Sequence, residues 1–197
     1  MTQMDIKFFF GVASGILAVI SFIPYLLDVL RGKTKPHSYT WLIWSIIQTT
    51  GTIAIFLNNG GWGMLNLAVG SLLCVLSFVL SLKYGTKNIT RFDTALLAGA
   101  LLAIAVWIFT KNALYSVVLV SVIDFTGYLP TARKGYEEPH TETISLYVMN
   151  AMTDILGLLA LSTYSATTVL YLATLLFANS SLVALLFLRR HQVLVVK

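Results

Sequence analysis

The segment Val122–Asp154, VIDFTGYLPTARKGYEEPHTETISLYVMNAMTD, decides how the chain is read. It reads as the end of one helix, a basic turn and a returning helix. One apolar run closes at Leu129, Arg133 and Lys134 follow, and a second apolar run starts at Ile144. A carboxylate lies deep in each run, Asp124 in the first and Asp154 in the second. Much of the middle of this segment occurs earlier in the chain. A shift of 103 residues carries Tyr25-Leu26 onto Tyr128-Leu129, Arg31-Gly32 onto Lys134-Gly135 and Pro36-His37-Ser38 onto Pro139-His140-Thr141. The shared pattern is Y-L-x4-[KR]-G-x3-P-H-[ST], with five positions identical and two similar. The carboxylates are not shared. Asp124 falls on Ser21, and Asn150 and Asp154 fall on Ile47 and Gly51. Residues that a duplicated scaffold needs recur in both copies, so acids in one copy point to a task.

The bulk numbers set the class. The 197 residues are 57% hydrophobic and 11% charged, with a mean hydropathy of +0.83. A soluble domain carries about 25% charged residues. This chain cannot cover a water-facing surface with polar groups, and it reads as an all-α integral membrane protein. Apolar stretches of about 20 residues match a hydrocarbon core of about 30 Å. Seven are expected: 8–30, 39–57, 62–82, 92–110, 113–132, 143–163 and 167–189. They must be helices, because open strands leave backbone groups unpaired in lipid. The first run is too long for a signal-peptide core and is read as a span.

Basic residues fix the expected orientation. Loops 1–2, 3–4 and 5–6 and the C-terminus hold Arg31, Lys33, Lys35, Lys83, Lys87, Arg91, Arg133, Lys134, Arg189, Arg190 and Lys197, and the other side holds Lys7 and Lys111. Eleven against two places the N-terminus outside and the C-terminus inside. The net charge of +5 is therefore a topology device, and no nucleic-acid partner is expected. The repeat offset spans four helices, so both copies point the same way. The reading is seven transmembrane helices in a 3+1+3 arrangement of parallel repeats. Its expected units are a first three-helix bundle over 1–90, a linker helix over 91–112 and a second bundle over 113–197. Parallel repeats about the membrane normal are a transporter plan with the substrate between the repeats.

This architecture resembles the SWEET and PQ-loop transporter superfamily. Pro24 and Pro130 carry the likeness, each followed by a basic turn, a Ser or Thr and the next helix. The dipeptides here are Pro24-Tyr25 and Pro130-Thr131, where the name of the group has Pro-Gln. The run Asn150-x-x-x-Asp154 resembles helix 6 of cystinosin-like proton-coupled transporters. That resemblance implies substrate contact for Asn150 and proton carriage for Asp154. It also implies a substrate-binding Asn in the third helix of each bundle, which Asn179 and Asn66 would supply.

Ionisable groups inside a bilayer are costly and mark function. Asp124 and Asp154 each lie about 11 residues into a span, or ~17 Å at 1.5 Å per residue. No Lys or Arg occurs mid-span, so neither acid has a cationic partner within the spans. They are the candidate proton-coupling pair. Gln48, Tyr128 and Tyr147 are further candidates for the cavity. Pro24 and Pro130 each remove a helix hydrogen bond and are candidate hinges. Trp41, Trp44 and Trp62 lie at span ends, where an aromatic belt is expected. The lone Cys74 is expected to be a buried hydrophobe.

The expected function is secondary transport of a small polar or cationic solute, coupled to protons through the intramembrane carboxylates. The alternative is a ligand-binding receptor or sorting protein on the same scaffold without net transport. No nucleophile–base pair, metal-ligand cluster or phosphate loop is seen, so an enzyme, a cofactor and a metal are not expected. A retinal protein is set aside because the last span has no lysine. The expected partners are a small-molecule substrate, protons and the bilayer. A homo-oligomer is not required for the site. The expected location is the bacterial inner membrane.

Overall fold

The computed structural model describes residues 3–32, 36–85, 90–137, 139 and 144–195. Lys33, Lys35, Lys87, His140, Thr141 and Lys197 lie outside the described residues, as do the side chains of Pro130, Arg133 and Lys134. The described chain is all-helical. In order come α1 (Gln3–Leu30), α2 (Ser38–Leu57), a short 3-10 turn (Gly61–Gly63), α3 (Met64–Tyr84), α4 (Arg91–Thr110), α5 (Ala113–Glu137), α6 (Ile144–Ala160) and α7 (Ala166–Val195). Segments in α1, α2, α4 and α7, and one running from the short turn through α3, are long and apolar enough to cross a membrane. The apolar parts of α5 and α6, Ala113–Leu129 and Ile144–Ala160, are shorter.

Local chemistry sets the ends. The His37 ring Nδ1 accepts from Thr40 N at 3.4 Å and caps α2. Thr90 and Asp93 form a reciprocal capping box on α4, with Thr90 N donating to Asp93 Oδ2 at 2.8 Å and Asp93 N to Thr90 Oγ1 at 3.2 Å. Two ends differ from expectation. α5 runs through Pro130 to Glu137, so the expected basic turn begins as helix. One carbonyl of its last turn, and one just beyond it, find cationic partners on α7. Arg189 Nε donates to Tyr136 O at 3.0 Å, with the guanidinium 3.9 Å above the Tyr136 ring, and Arg190 Nε donates to Pro139 O at 3.0 Å. α6 ends at Ala160, because Ser162 N turns away to donate to Gly60 O at 2.9 Å.

The helices pack in a pattern that repeats. α3 lies against both α1 and α2, and α7 lies against both α5 and α6. Among the described residues the backbones of α1 and α2 do not approach closely, nor do those of α5 and α6; α1 meets α2 through the rings of Phe22, Tyr25 and Trp41. α1 packs on α6 and α2 on α5, while α3 reaches α6 and α7 reaches α2. Replacing each helix by the one four places on returns the same pattern. α4 lies to one side on α5 and α2, approaching through the fully buried Ala100 and Ala103.

Polarity is inverted relative to a soluble domain. Large apolar side chains face outward, among them Phe9, Phe56, Leu72 and Phe109, the last 85% exposed. Ser14, Asn66, Asp124, Asp154 and Asn179 are buried. Such an exterior is compatible with an integral membrane protein, whose helices join through small and polar residues rather than hydrophobic burial. Gly51 shows the packing limit. A Cβ there would meet the ring of Tyr171, which is 1% exposed. Gly51→Val is expected to cost about 1–3 kcal/mol through overpacking. Thermal unfolding in detergent checks this, and an unchanged midpoint would refute the contact.

Candidate functional site

Two cavities adjoin within the bundle. The larger is about 260 Å³ and is lined by Phe22, Tyr25, Trp41, Trp44, Asp124 and Tyr147 among others. The smaller is about 70 Å³ and is lined by Ser21, Asn66, Thr153, Asp154 and Asn179 among others. Phe22, Gln48, Tyr128, Asn150 and Leu175 line both and form the shared wall. The larger cavity lies toward the end where α1 and α5 finish and α2 and α6 begin. The smaller lies deeper, beside the start of α3. Asp124 and Asp154 thus occupy adjacent chambers rather than one.

Asp154 is 4% exposed and fully engaged. Its Oδ1 accepts from Asn66 Nδ2 at 2.9 Å, and its Oδ2 accepts from Asn179 Nδ2 at 3.1 Å. Asn66 comes from α3 and Asn179 from α7, so the carboxylate of α6 ties both flanking helices. Asn66 Nδ2 also reaches Thr153 O at 3.4 Å, and Asn179 Nδ2 reaches Leu175 O at 3.0 Å. The Tyr128 hydroxyl donates to Asn179 Oδ1 at 3.4 Å, which extends the network to α5 and the shared wall. Gly157 lets α3 approach. A Cβ there would stand 3.1 Å from Asn66 Nδ2.

Asp124 is 3% exposed and contrasts with Asp154. The Tyr171 hydroxyl and the Trp44 indole are its polar neighbours. Neither is hydrogen-bonded to its Oδ2. Asp124 Oδ2 and the Tyr171 hydroxyl are both buried without a hydrogen-bond partner among the described residues. An ionised carboxylate oxygen in that condition is costly unless a partner or a proton meets it.

The other candidates are placed as follows. Asn150 lines both cavities, and among the described residues its amide makes no side-chain hydrogen bond. Gln48 lines both, donating weakly to Cys74 Sγ at 3.6 Å. Tyr147 lines the larger cavity. Asn66 and Asn179, expected to meet substrate, line the smaller cavity and contact Asp154. Pro24 lies inside α1 next to the cavity residues Phe22 and Tyr25, and α5 stays helical through position 130. Ile47 and Gly51, the first-copy counterparts of Asn150 and Asp154, are buried in packing.

The aromatic-belt expectation fails for two residues. Trp41 is 8% exposed and Trp44 is partly buried, and both line the larger cavity. Only Trp62 of the three, at 37% exposure, stays at the surface. The spacing of Trp41, Trp44 and Gln48 puts the three on one helical face, and does not say which way that face turns. Among the described residues no group of three or more His, Cys, Asp or Glu could hold a metal ion.

At the end opposite the larger cavity α1 is tied to the end of α6. Lys7 Nζ donates to Leu161 O at 2.7 Å and to Ser162 O at 3.4 Å, at the end of α6. Phe8 packs edge-on to Trp62, with centroids 4.8 Å apart. Lys7→Met removes a cation from a helix C-terminus, worth about 0.3–1 kcal/mol. Amide exchange at the end of α6 is then expected to quicken roughly two- to fivefold. Unchanged exchange would show that Lys7 does not hold this tie. Comparison with protein-family models, with curated proteins and with solved structures finds no match.

Proposed function

We propose that the chain is a proton-coupled secondary transporter of a small polar or cationic solute. Its plan is seven membrane-crossing helices in a 3+1+3 arrangement of parallel repeats, as in the SWEET and PQ-loop superfamily. The observation that carries this reading is Asp154, buried beside a two-chambered cavity and bridging Asn66 and Asn179. The repeating contact pattern of α1–α3 and α5–α7 supports the architecture. In this reading the basic loops face the cytoplasm and the N-terminus lies outside, and the membrane is a bacterial inner membrane.

The chemistry follows from donor and acceptor counts. An ionised Asp154 accepts one N–H at each oxygen, and an asparagine Nδ2 only donates. A proton on Asp154 makes one oxygen a donor that faces another donor. In this reading that amide bond weakens or breaks, or one amide turns over. Either event changes how α6 is held by α3 or by α7. Asn150, one turn before Asp154 and lining both cavities, links that event to the solute. In this reading the end tied by Lys7 closes on the outside and the larger cavity faces the cytoplasmic loops. Proton loss and uptake at Asp154 would alternate the two closures.

Two measurements test the proposal. In a Cys74→Ala background, Asn112→Cys is expected to label from outside intact cells and Gln192→Cys only after permeabilisation. The reverse pattern would overturn the orientation. In liposomes, an imposed pH gradient is expected to drive uptake of at least one of choline, lysine, glucose and uridine. Binding of one of these without flux would favour a receptor.

A further inference from the structure

We propose that the larger cavity is a cage for a small organic cation of the alkylammonium type, with Asp124 as its counter-charge. This rests on the transport reading and names the substrate class for it. The first observation is the wall. Phe22, Tyr25, Trp41 and Trp44 are contiguous; three of their four ring pairs meet at steep angles, and Tyr25 and Trp41 are tilted at 45° with centroids 5.0 Å apart. Trp41 and Trp44 have centroids 5.2 Å apart at 84°, Phe22 and Trp41 5.7 Å apart at 66°, and Phe22 and Tyr25 6.3 Å apart at 76°. Rings so disposed are adjacent sides of a box, not a stack. The negative faces of such a box hold a weakly hydrated cation, above all a methylated ammonium.

The second observation is independent. Asp124 lines the same cavity, is 3% exposed, and has a buried Oδ2 with no hydrogen-bond partner among the described residues. Among the described residues no Lys, Arg or His lines the cavity. None of them therefore gives the carboxylate a counter-charge there, and a cationic ligand supplies one. The same lack discriminates among solutes. A zwitterionic amino acid would bring a carboxylate with no cation to meet it. A sugar would leave Asp124 uncompensated and most ring faces unused. A volume of about 260 Å³ is below the usual range for drug-sized ligands and suits a compact solute. The Gln48 and Asn150 amides on the shared wall can take a hydroxyl or other polar tail.

The test is calorimetric titration of the full chain in detergent with tetramethylammonium, choline and dimethylbutanol, the neutral carbon isostere of choline. Both cations are expected to bind and the neutral isostere is not. Asp124→Asn should weaken choline roughly 10- to 100-fold, as expected for loss of a charge-assisted contact. Asp124→Glu should recover part of it. If Asp124→Asn shows no cooperative thermal transition, Trp44→Leu decides, with weakened choline binding expected. Equal binding of choline and its neutral isostere would overturn the proposal. So would unchanged choline affinity in a folded Asp124→Asn or Trp44→Leu protein. Choline binding without pH-driven uptake would sink the transport reading and leave the cage standing. pH-driven uptake of glucose or uridine without cation binding would do the opposite.

Discussion

Asp154→Asn is expected to reduce pH-driven uptake to the level of protein-free liposomes, while the protein stays folded and membrane-inserted. The substitution is nearly isosteric. An asparagine at 154 keeps one carbonyl oxygen, which can accept from Asn66 or from Asn179 but not from both. Its own NH2 then faces the NH2 of the other. One buried bond is lost and two donors are opposed, at a cost of about 1–3 kcal/mol. That lowers the unfolding midpoint without removing the helices. What disappears entirely is the titratable group, and with it the alternation between two bonding arrangements. Solute exchange without a gradient needs no net proton movement and should decline less than uphill uptake. Uphill uptake equal to wild type would sink the coupling role of Asp154.

Asn179→Leu is expected to be the most destabilising single change at the site. Asn179 donates to Asp154 Oδ2 at 3.1 Å and accepts from the Tyr128 hydroxyl at 3.4 Å. A leucine satisfies neither. Interhelical hydrogen bonds in membranes average about 0.6 kcal/mol, because neutral groups find other partners. A carboxylate oxygen at 4% residue exposure has few alternatives. The expected loss is therefore larger, roughly 2–4 kcal/mol. The double variant Asp154→Leu/Asn179→Leu should recover part of this stability, since no charge is then left buried. Thermal unfolding of wild type, both singles and the double closes the cycle. A double variant less stable than the sum of its singles would show that the network is not what holds α6 to α7.

The helices were legible because hydrocarbon thickness dictates span length and loops carry the polar residues. Expected 39–57 became Ser38–Leu57, and expected 92–110 became Arg91–Thr110. The misses have a common cause. α5 passes Pro130, and its Tyr136 carbonyl meets Arg189 while the Pro139 carbonyl just beyond it meets Arg190, contacts more than fifty positions away. Trp41 and Trp44 were assigned to a lipid belt because apolar helices are hydrophobic all round. Periodicity then leaves the rotation of a helix about its axis unset. The same gap hid the bonding of Asn66 and Asn179. Composition marked both as polar groups in spans. That they converge on Asp154, 88 and 25 positions away, is a product of packing. Tyr171 went unmarked, since a lone tyrosine in an apolar run carries no signal of what its hydroxyl faces.

The most direct test of the proton-coupled account is paired flux in one liposome preparation. An internal pH dye follows protons while radiolabelled choline follows solute. Wild-type protein is expected to move protons only when choline is present, and choline against its gradient only when a pH gradient is imposed. Asp154→Asn is expected to show neither. Choline accumulation in wild type with no accompanying proton movement would contradict the account, as would identical proton flux in Asp154→Asn.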